Sequence, residues 1–269
     1  MKDWENDLLT VGFLGFGEMG SAIAAGIGQA DGEARDRVRF LAWAPHLETL
    51  KVRAEQTGAE TASSPRELCE KSDAVILAMK PDQCAAAVTP LRDVLRGRPV
   101  LSIVNGWTLA MFEEILGEGA RVQCVMPNTP AKVGRGAFLF AEENTLLPEE
   151  RQRITELFSL AGAVIELPER KIPAATAITG CGPAFLYMVI EALGDAGVKN
   201  GLKRQAAYEL AARTMLGAAE MVLRGEGHPG ALKDAVCSPG GTTIRGVAAL
   251  EEAGMRAAFI KAVDATLAK

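Results

Sequence analysis

The sequence predicts a protein of the α/β class, in which a doubly wound, mostly parallel sheet is followed by an all-helical domain. Three observations carry that expectation. Short apolar runs alternate with helical stretches as far as Leu167, the order of strands and crossover helices. The first apolar run ends in closely spaced glycines that open a helix. From Glu169 onward every long segment reads helical.

The elements follow in order. Val11–Phe16 is a short apolar run of buried-strand type. Glu18–Gln29 is helical, with Ile23 and Ile27 on one face. Val38–Trp43 reads as a strand and His46–Thr57 as a helix. Ala74–Met79 is a buried strand stopped by Lys80-Pro81, and Asp82–Arg96 a helix. Then come a strand over Val100–Val104, a short helix over Leu109–Leu116, a strand over Arg121–Met126 and a further strand over Gly136–Ala141. Pro148–Ala161 is a helix with proline in its first turn and Glu149 and Glu150 at the positive end of its dipole. Its apolar face is Ile154, Leu157, Phe158 and Ala161. Ala163–Leu167 is the last strand, and the domain boundary falls near Pro168, giving domains of residues 1–168 and 169–269.

Composition narrows the function. The 269 residues carry a net charge of −5 without long single-sign runs, which argues against a nucleic-acid backbone binder. Cys69, Cys84, Cys124, Cys181 and Cys237 are widely spaced, odd in number and form no C-x-x-C, a pattern of reduced thiols in a cytoplasmic protein. None has a visible base beside it, so a thiol nucleophile is not expected. His46 and His228 are too far apart in sequence to form a metal pair, and no metal is expected. The charged N-terminus, Met1 to Asp7, lacks the apolar core of a signal peptide. The most apolar stretch, Pro183–Gly194, is too short for a bilayer, so no membrane partner is expected. Gln205–Leu223 contains only three charged residues, Glu209, Arg213 and Glu220, and Ala184–Leu193 only Glu191. Helices this apolar must be covered, either by the first domain or, the preferred reading, by a second chain.

Gly15-Phe16-Gly17-Glu18-Met19-Gly20 is G-x-G-x-x-G between a strand and a helix, the context a Rossmann-type dinucleotide site requires. Gly15 permits the turn, Gly17 lets a pyrophosphate approach the backbone, and Gly20 allows close helix–strand packing. No acidic residue stands between Arg37 and Leu47 to bond a ribose 2′-hydroxyl, so NADPH is favoured over NADH. His46 either touches the extra phosphate or is a solvated helix-start residue. In Met126-Pro127-Asn128-Thr129-Pro130, Asn128 either orients a nicotinamide or substrate or belongs to a rigid turn. Ser238-Pro239-Gly240-Gly241-Thr242-Thr243 precedes a helix over Ile244–Ala253, and its successive N–H groups suit a carboxylate. Glu191 and Asp195 are four apart, either a carboxylate pair or a solvated helix edge.

These motifs, with Met79-Lys80-Pro81, Thr179-Gly180-Cys181-Gly182-Pro183-Ala184-Phe185 and His228-Pro229-Gly230-Ala231-Leu232-Lys233-Asp234, occur in an order that resembles the pyrroline-5-carboxylate reductase family from about Val11 to the C-terminus. The Ser-Pro-Gly-Gly-Thr-Thr stretch is the most specific element. The resemblance implies reduction of L-1-pyrroline-5-carboxylate to L-proline with NADPH or NADH, and a helical dimerisation domain whose dimers assemble into a decamer. It implies cofactor contacts at Phe16, Glu18 and Met19, at Pro45, Ser64, Met79 and Lys80, and at Asn105. It implies substrate contacts at Glu169, Ser238, Gly240, Gly241, Thr242 and Thr243, with Thr243 facing the ring nitrogen as the catalytic contact. The chain departs from the family pattern at Cys181, Val104-Asn105, Ala235 and Ala44-Pro45.

Overall fold

The computed structural model describes residues 8–268. The N-terminal segment in which no signal peptide is read lies outside them. Contacts divide the chain into two compact units that meet in sequence between Gly180 and Cys181.

In the first unit the strands are β1 (Leu9–Leu14), β2 (Val38–Trp43), β3 (Glu60–Thr61), β4 (Ala74–Leu77), β5 (Pro99–Ser102), β6 (Arg121–Met126), β7 (Gly136–Asn144) and β8 (Gly162–Leu167). They form one sheet in the order β3-β2-β1-β4-β5-β6-β7-β8. The first six are parallel. β7 runs antiparallel to β6, and β8 runs parallel to β7.

Alternate strand residues feed two cores, as a sheet covered on both faces requires. Phe13, Ile76, Leu101 and Val125 face one side, with Ile23, Ile27 and Phe158. Leu14, Val75, Leu77, Val100 and Val122 face the other, with Leu68, Val88 and Phe112. Edge-to-face ring pairs fix the first core, with centroids 5.3 Å apart for Phe13–Phe16 and 4.9 Å for Phe138–Phe158.

Several expected boundaries shift. β1 ends at Leu14, because Gly15 and Phe16 already belong to the turn. The expected helix over Asp82–Arg96 is interrupted. It runs over Pro81–Val88, tightens to a 3₁₀ turn over Thr89–Leu91, and resumes over Arg92–Leu95. Pro90 has no N–H to continue the ladder. β3 and the helix Pro65–Lys71 were not foreseen.

The second unit contains helices Gly182–Lys199, Arg204–Leu223, Pro229–Ala235, Thr242–Glu252 and Met255–Leu267. The first two pack through small residues. A Cβ placed on Gly194 would lie 2.3 Å from the Tyr208 ring, and one on Gly197 would lie 2.9 Å from Ala207 Cβ. Asp195 pairs with Arg204, so the Glu191–Asp195 spacing forms a solvated helix edge and not a carboxylate pair.

Large apolar side chains stand uncovered in the single chain, among them Met188, Leu210 and Leu216. The apolar stretch is also longer than the twelve residues of Pro183–Gly194. An 18-residue window within Glu169–Lys199 reaches a mean hydropathy of 1.4, long and apolar enough by composition to cross a membrane, yet only 11% of it is buried within the chain.

Candidate active site

The cofactor-side residues share one edge of the first unit. Register pairs Leu14 with Trp43 and with Leu77, Leu77 with Ser102, and Ser102 with Cys124. The loops that follow these residues therefore leave the sheet together. They carry Gly15–Gly20, Pro45, Met79-Lys80, Asn105 and Asn128. Ser64 follows β3, which pairs in parallel with β2, onto the same edge. This is the edge where parallel sheets take ligands, at the switch point between β1 and β4.

The turn after β1 is tightly specified. Gly15 has φ +89°, and its N–H donates to Trp43 O at 2.9 Å. A Cβ on it would lie 2.6 Å from Ala78 O. Gly20 packs beside Gly15 O and Phe13, as the third glycine of the motif should. Gly17 is different. It is the N-cap of helix Glu18–Gly28 with no side-chain cap, and a Cβ there would meet only Arg53 Nη1, at 4.0 Å. Among the described residues, no protein atom demands glycine at this position. The free N–H groups of the helix start and the open space over Gly17 fit a dinucleotide's pyrophosphate.

Other expected contacts are partly engaged already. The Phe16 side chain is buried, so only its backbone can meet a ligand. Ser64 Oγ caps helix Pro65–Lys71 by accepting from Glu67 N–H at 3.1 Å. Met79 is half-buried, whereas Pro45, Lys80 and Asn105 are exposed.

Asn128 is engaged within the fold. Its Nδ2 donates to Thr179 O at 2.9 Å and its Oδ1 accepts from Ala137 N–H at 2.8 Å. The amide is a clamp between β7 and the end of helix Ile172–Thr179, and not a free group aimed at a nicotinamide. His46 is an exposed N-cap residue that makes no side-chain cap bond. His228 Nδ1 accepts from Gly230 N–H at 3.1 Å and so caps helix Pro229–Ala235.

Glu169 also lies in the first unit. Its Oε1 accepts from Leu109 N–H at 2.8 Å, and its N–H donates to Glu143 at 2.6 Å. Burial pushes the Cys124 thiol up to about 12, helped by the charge of Glu169 and a hydrogen bond to it. Burial alone takes Cys84 to about 12, and burial takes Cys69 to about 11. These three are not nucleophiles. Among the described residues, no group of three or more His, Cys, Asp or Glu is placed to hold a metal ion.

The hydroxyl-rich turn belongs to the second unit. Gly240 has φ +68°, and Gly241 N–H donates to Ser238 O at 3.0 Å, closing the turn. Helix Thr242–Glu252 begins two residues before the expected Ile244, with Gly241 as its N-cap. The Gly241 N–H is thus occupied, and the free donors of the turn are those of the helix's first residues, Thr242 and Thr243. Both threonines, like Ser238 and Gly240, are exposed in the single chain.

Sequence reasoning missed Arg53, on helix Leu47–Thr57. Its Nη1 donates to Phe16 O at 3.2 Å, and its other guanidinium nitrogen pairs with Glu18. No local pattern links residues 18 and 53, so the signal exists only in the fold.

The sheet order and the glycine turn define a dinucleotide-binding oxidoreductase of the Rossmann class. Comparison with known proteins narrows this. A family model described as "Pyrroline-5-carboxylate reductase dimerisation" matches residues 169–269, and one described as "NADP oxidoreductase coenzyme F420-dependent" matches residues 10–106. A protein named pyrroline-5-carboxylate reductase from Methanosarcina acetivorans is 39% identical over 255 residues, 94% of this chain and 93% of that one. Its namesake from Escherichia coli is 35% identical over 260 residues, 96% of each chain. A crystal structure of the pyrroline carboxylate reductase of Plasmodium falciparum with NADP bound superposes with a TM-score of 0.84 at 33% identity, covering 96% of this chain and 95% of that one. The chain belongs to the pyrroline-5-carboxylate reductase family.

Proposed function

We propose that this protein reduces L-1-pyrroline-5-carboxylate to L-proline, the last step of proline biosynthesis, with NADPH as the preferred reductant and NADH as the alternative. The observation that carries the cofactor half of the reading is the open glycine turn at Gly17, on the sheet edge shared by Met79-Lys80 and Asn105, and membership of the family carries the substrate half. The cofactor, when bound, supplies hydride to the imine carbon. The chain's own residues bind and orient. Backbone N–H groups at Gly17, Glu18 and Met19 hold the pyrophosphate, while Gly15 and Gly20 shape the turn. Pro45, Ser64, Met79, Lys80 and Asn105 complete the cofactor contacts, with Phe16 contributing backbone only. Asn128 acts from behind, fixing the β6–β7 turn.

On the substrate side, the N–H groups of Thr242 and Thr243 hold the carboxylate in a turn shaped by Ser238, Gly240 and Gly241. Thr243 Oγ1 hydrogen-bonds the ring nitrogen and keeps the imine oriented. Glu169 is the further substrate contact. The ring nitrogen is itself basic and carries the proton that makes its carbon electrophilic, so no histidine or nucleophile is needed. That suits a chain with only two histidines, one of them occupied as a cap.

The uncovered apolar faces of helices Gly182–Lys199 and Arg204–Leu223 form a homodimer interface, with dimers assembling into a decamer in the cytoplasm. The functional division lies near Pro168, with residues 1–168 binding cofactor and 169–269 serving substrate and dimer. The test is to incubate the protein with pyrroline-5-carboxylate and NADPH and quantify proline. Proline formed mole for mole with NADPH oxidised supports the reading. Cofactor binding without turnover would overturn it.

A further inference from the structure

We propose that Arg53 is the ligand of the cofactor's 2′-phosphate, and that Glu18 holds Arg53 at the glycine turn until that phosphate takes the carboxylate's place. The inference rests on the NADPH reading above and assigns it to a residue.

The geometry carries it. Arg53 lies on the helix that follows β2, so it reaches the β1 turn from the side on which a dinucleotide's adenosine half lies. Among the described residues it is the nearest group to the open face of Gly17, 4.0 Å from where a Cβ would be. The Phe16 carbonyl anchors one arm of the fork at 3.2 Å, and Glu18 engages the other.

The two partners differ in environment. The Arg53 side chain is 23% exposed and that of Glu18 is 90% exposed. The guanidinium is therefore held in place while the carboxylate hangs in water. An ion pair with one partner so exposed contributes little, so Glu18 can swing away at small cost. A phosphate dianion offers the planar fork a better partner than a single carboxylate. Glu18 also bears a like charge beside any incoming phosphate, so its departure relieves repulsion. The loop between Trp43 and Leu47 holds no lysine or arginine, and the Arg53 guanidinium is a cation held at this turn by the Phe16 carbonyl and Glu18.

The test is calorimetric binding of 2′,5′-ADP, 5′-AMP and 5′-ADP to the full-length protein, with no turnover involved. The unaltered protein should bind 2′,5′-ADP at least about tenfold more tightly than 5′-AMP, the scale of one charge-assisted bond. Arg53→Met should weaken 2′,5′-ADP binding by about 10- to 100-fold and leave 5′-AMP and 5′-ADP unchanged. Arg53→Lys should fall between them. Glu18→Gln should tighten 2′,5′-ADP binding when Arg53 is present, and should tighten it less in the Arg53→Met background, where only the relief of repulsion remains. If Arg53→Met does not fold, Arg53→Lys and Glu18→Gln still decide the matter. Equal weakening of all three ligands would assign Arg53 to the pyrophosphate or to the fold and overturn the proposal. Discrimination retained in Arg53→Met would overturn it while leaving the NADPH reading intact. No discrimination by the unaltered protein would overturn both.

Discussion

Gly15 and Ala78 approach so closely that a Cβ on Gly15 would lie 2.6 Å from the Ala78 carbonyl oxygen. The contact joins the turn after β1 to the turn after β4, the two loops that border the switch point of the sheet. Gly15 also sits at φ +89°, where side chains are strained. Gly15→Ala should therefore destabilise the first unit by about 1–3 kcal/mol and displace the Met79-Lys80 segment. Chemical denaturation measures the first effect, and loss of NADPH binding reports the second.

Gly17→Ala should behave in the opposite way. Among the described residues, its added methyl meets nothing nearer than Arg53 Nη1 at 4.0 Å. Stability should change by less than about 1 kcal/mol, since an N-cap without a side-chain bond loses little. Dinucleotide affinity should fall sharply, because the methyl occupies the space over the helix N-terminus. A melting curve beside a cofactor titration separates the two, and a large loss of stability at Gly17 would contradict the reading.

The buried thiols give a pH prediction. Cys69 is raised from an ordinary 9.0 to about 11, and Cys84 and Cys124 to about 12, with burial the first cause in each. The unfolded chain releases these protons at lower pH than the folded one. Their contribution to stability is therefore complete below pH 9 and is lost as pH rises through the folded values near 11 to 12. Maleimide labelling at mildly alkaline pH should spare Cys69, Cys84 and Cys124 in the native protein and reach them in denaturant.

Thr243→Val should lower kcat/KM for pyrroline-5-carboxylate by roughly 1.5–3 kcal/mol, about one lost bond in a closed site. The backbone N–H at this position survives the substitution, so the carboxylate contact should persist. Steady-state kinetics with saturating NADPH checks it, and unchanged kinetics would remove Thr243 from the mechanism.

Much of the first unit was legible in the sequence, because its strands are short apolar runs and its helices have clear starts. The rest was hidden for identifiable reasons. β3 is two residues, Glu60 and Thr61, both exposed, and leaves no apolar signal. The direction of β7 was not readable, since antiparallel pairing leaves the same burial pattern as parallel. Asn128 stood in a suggestive motif, but its partners Thr179 and Ala137 are set by the fold. The same holds for Arg53, which becomes a neighbour of Phe16 and Glu18 only when β2 pairs with β1. In the second unit the hydroxyl-rich turn was legible as a helix start, yet which N–H groups stay free depended on Gly241 closing onto Ser238.

The most direct test of the account is a comparison of kcat/KM for NADPH and NADH with pyrroline-5-carboxylate as substrate, run beside an open-chain hydroxyacid with oxidised cofactor. The account predicts turnover of the cyclic imine, higher kcat/KM with NADPH, and no activity on the hydroxyacid. Turnover of the hydroxyacid in place of the imine would contradict the proposed chemistry, and equal or reversed cofactor preference would contradict the phosphate reading of the β2 edge.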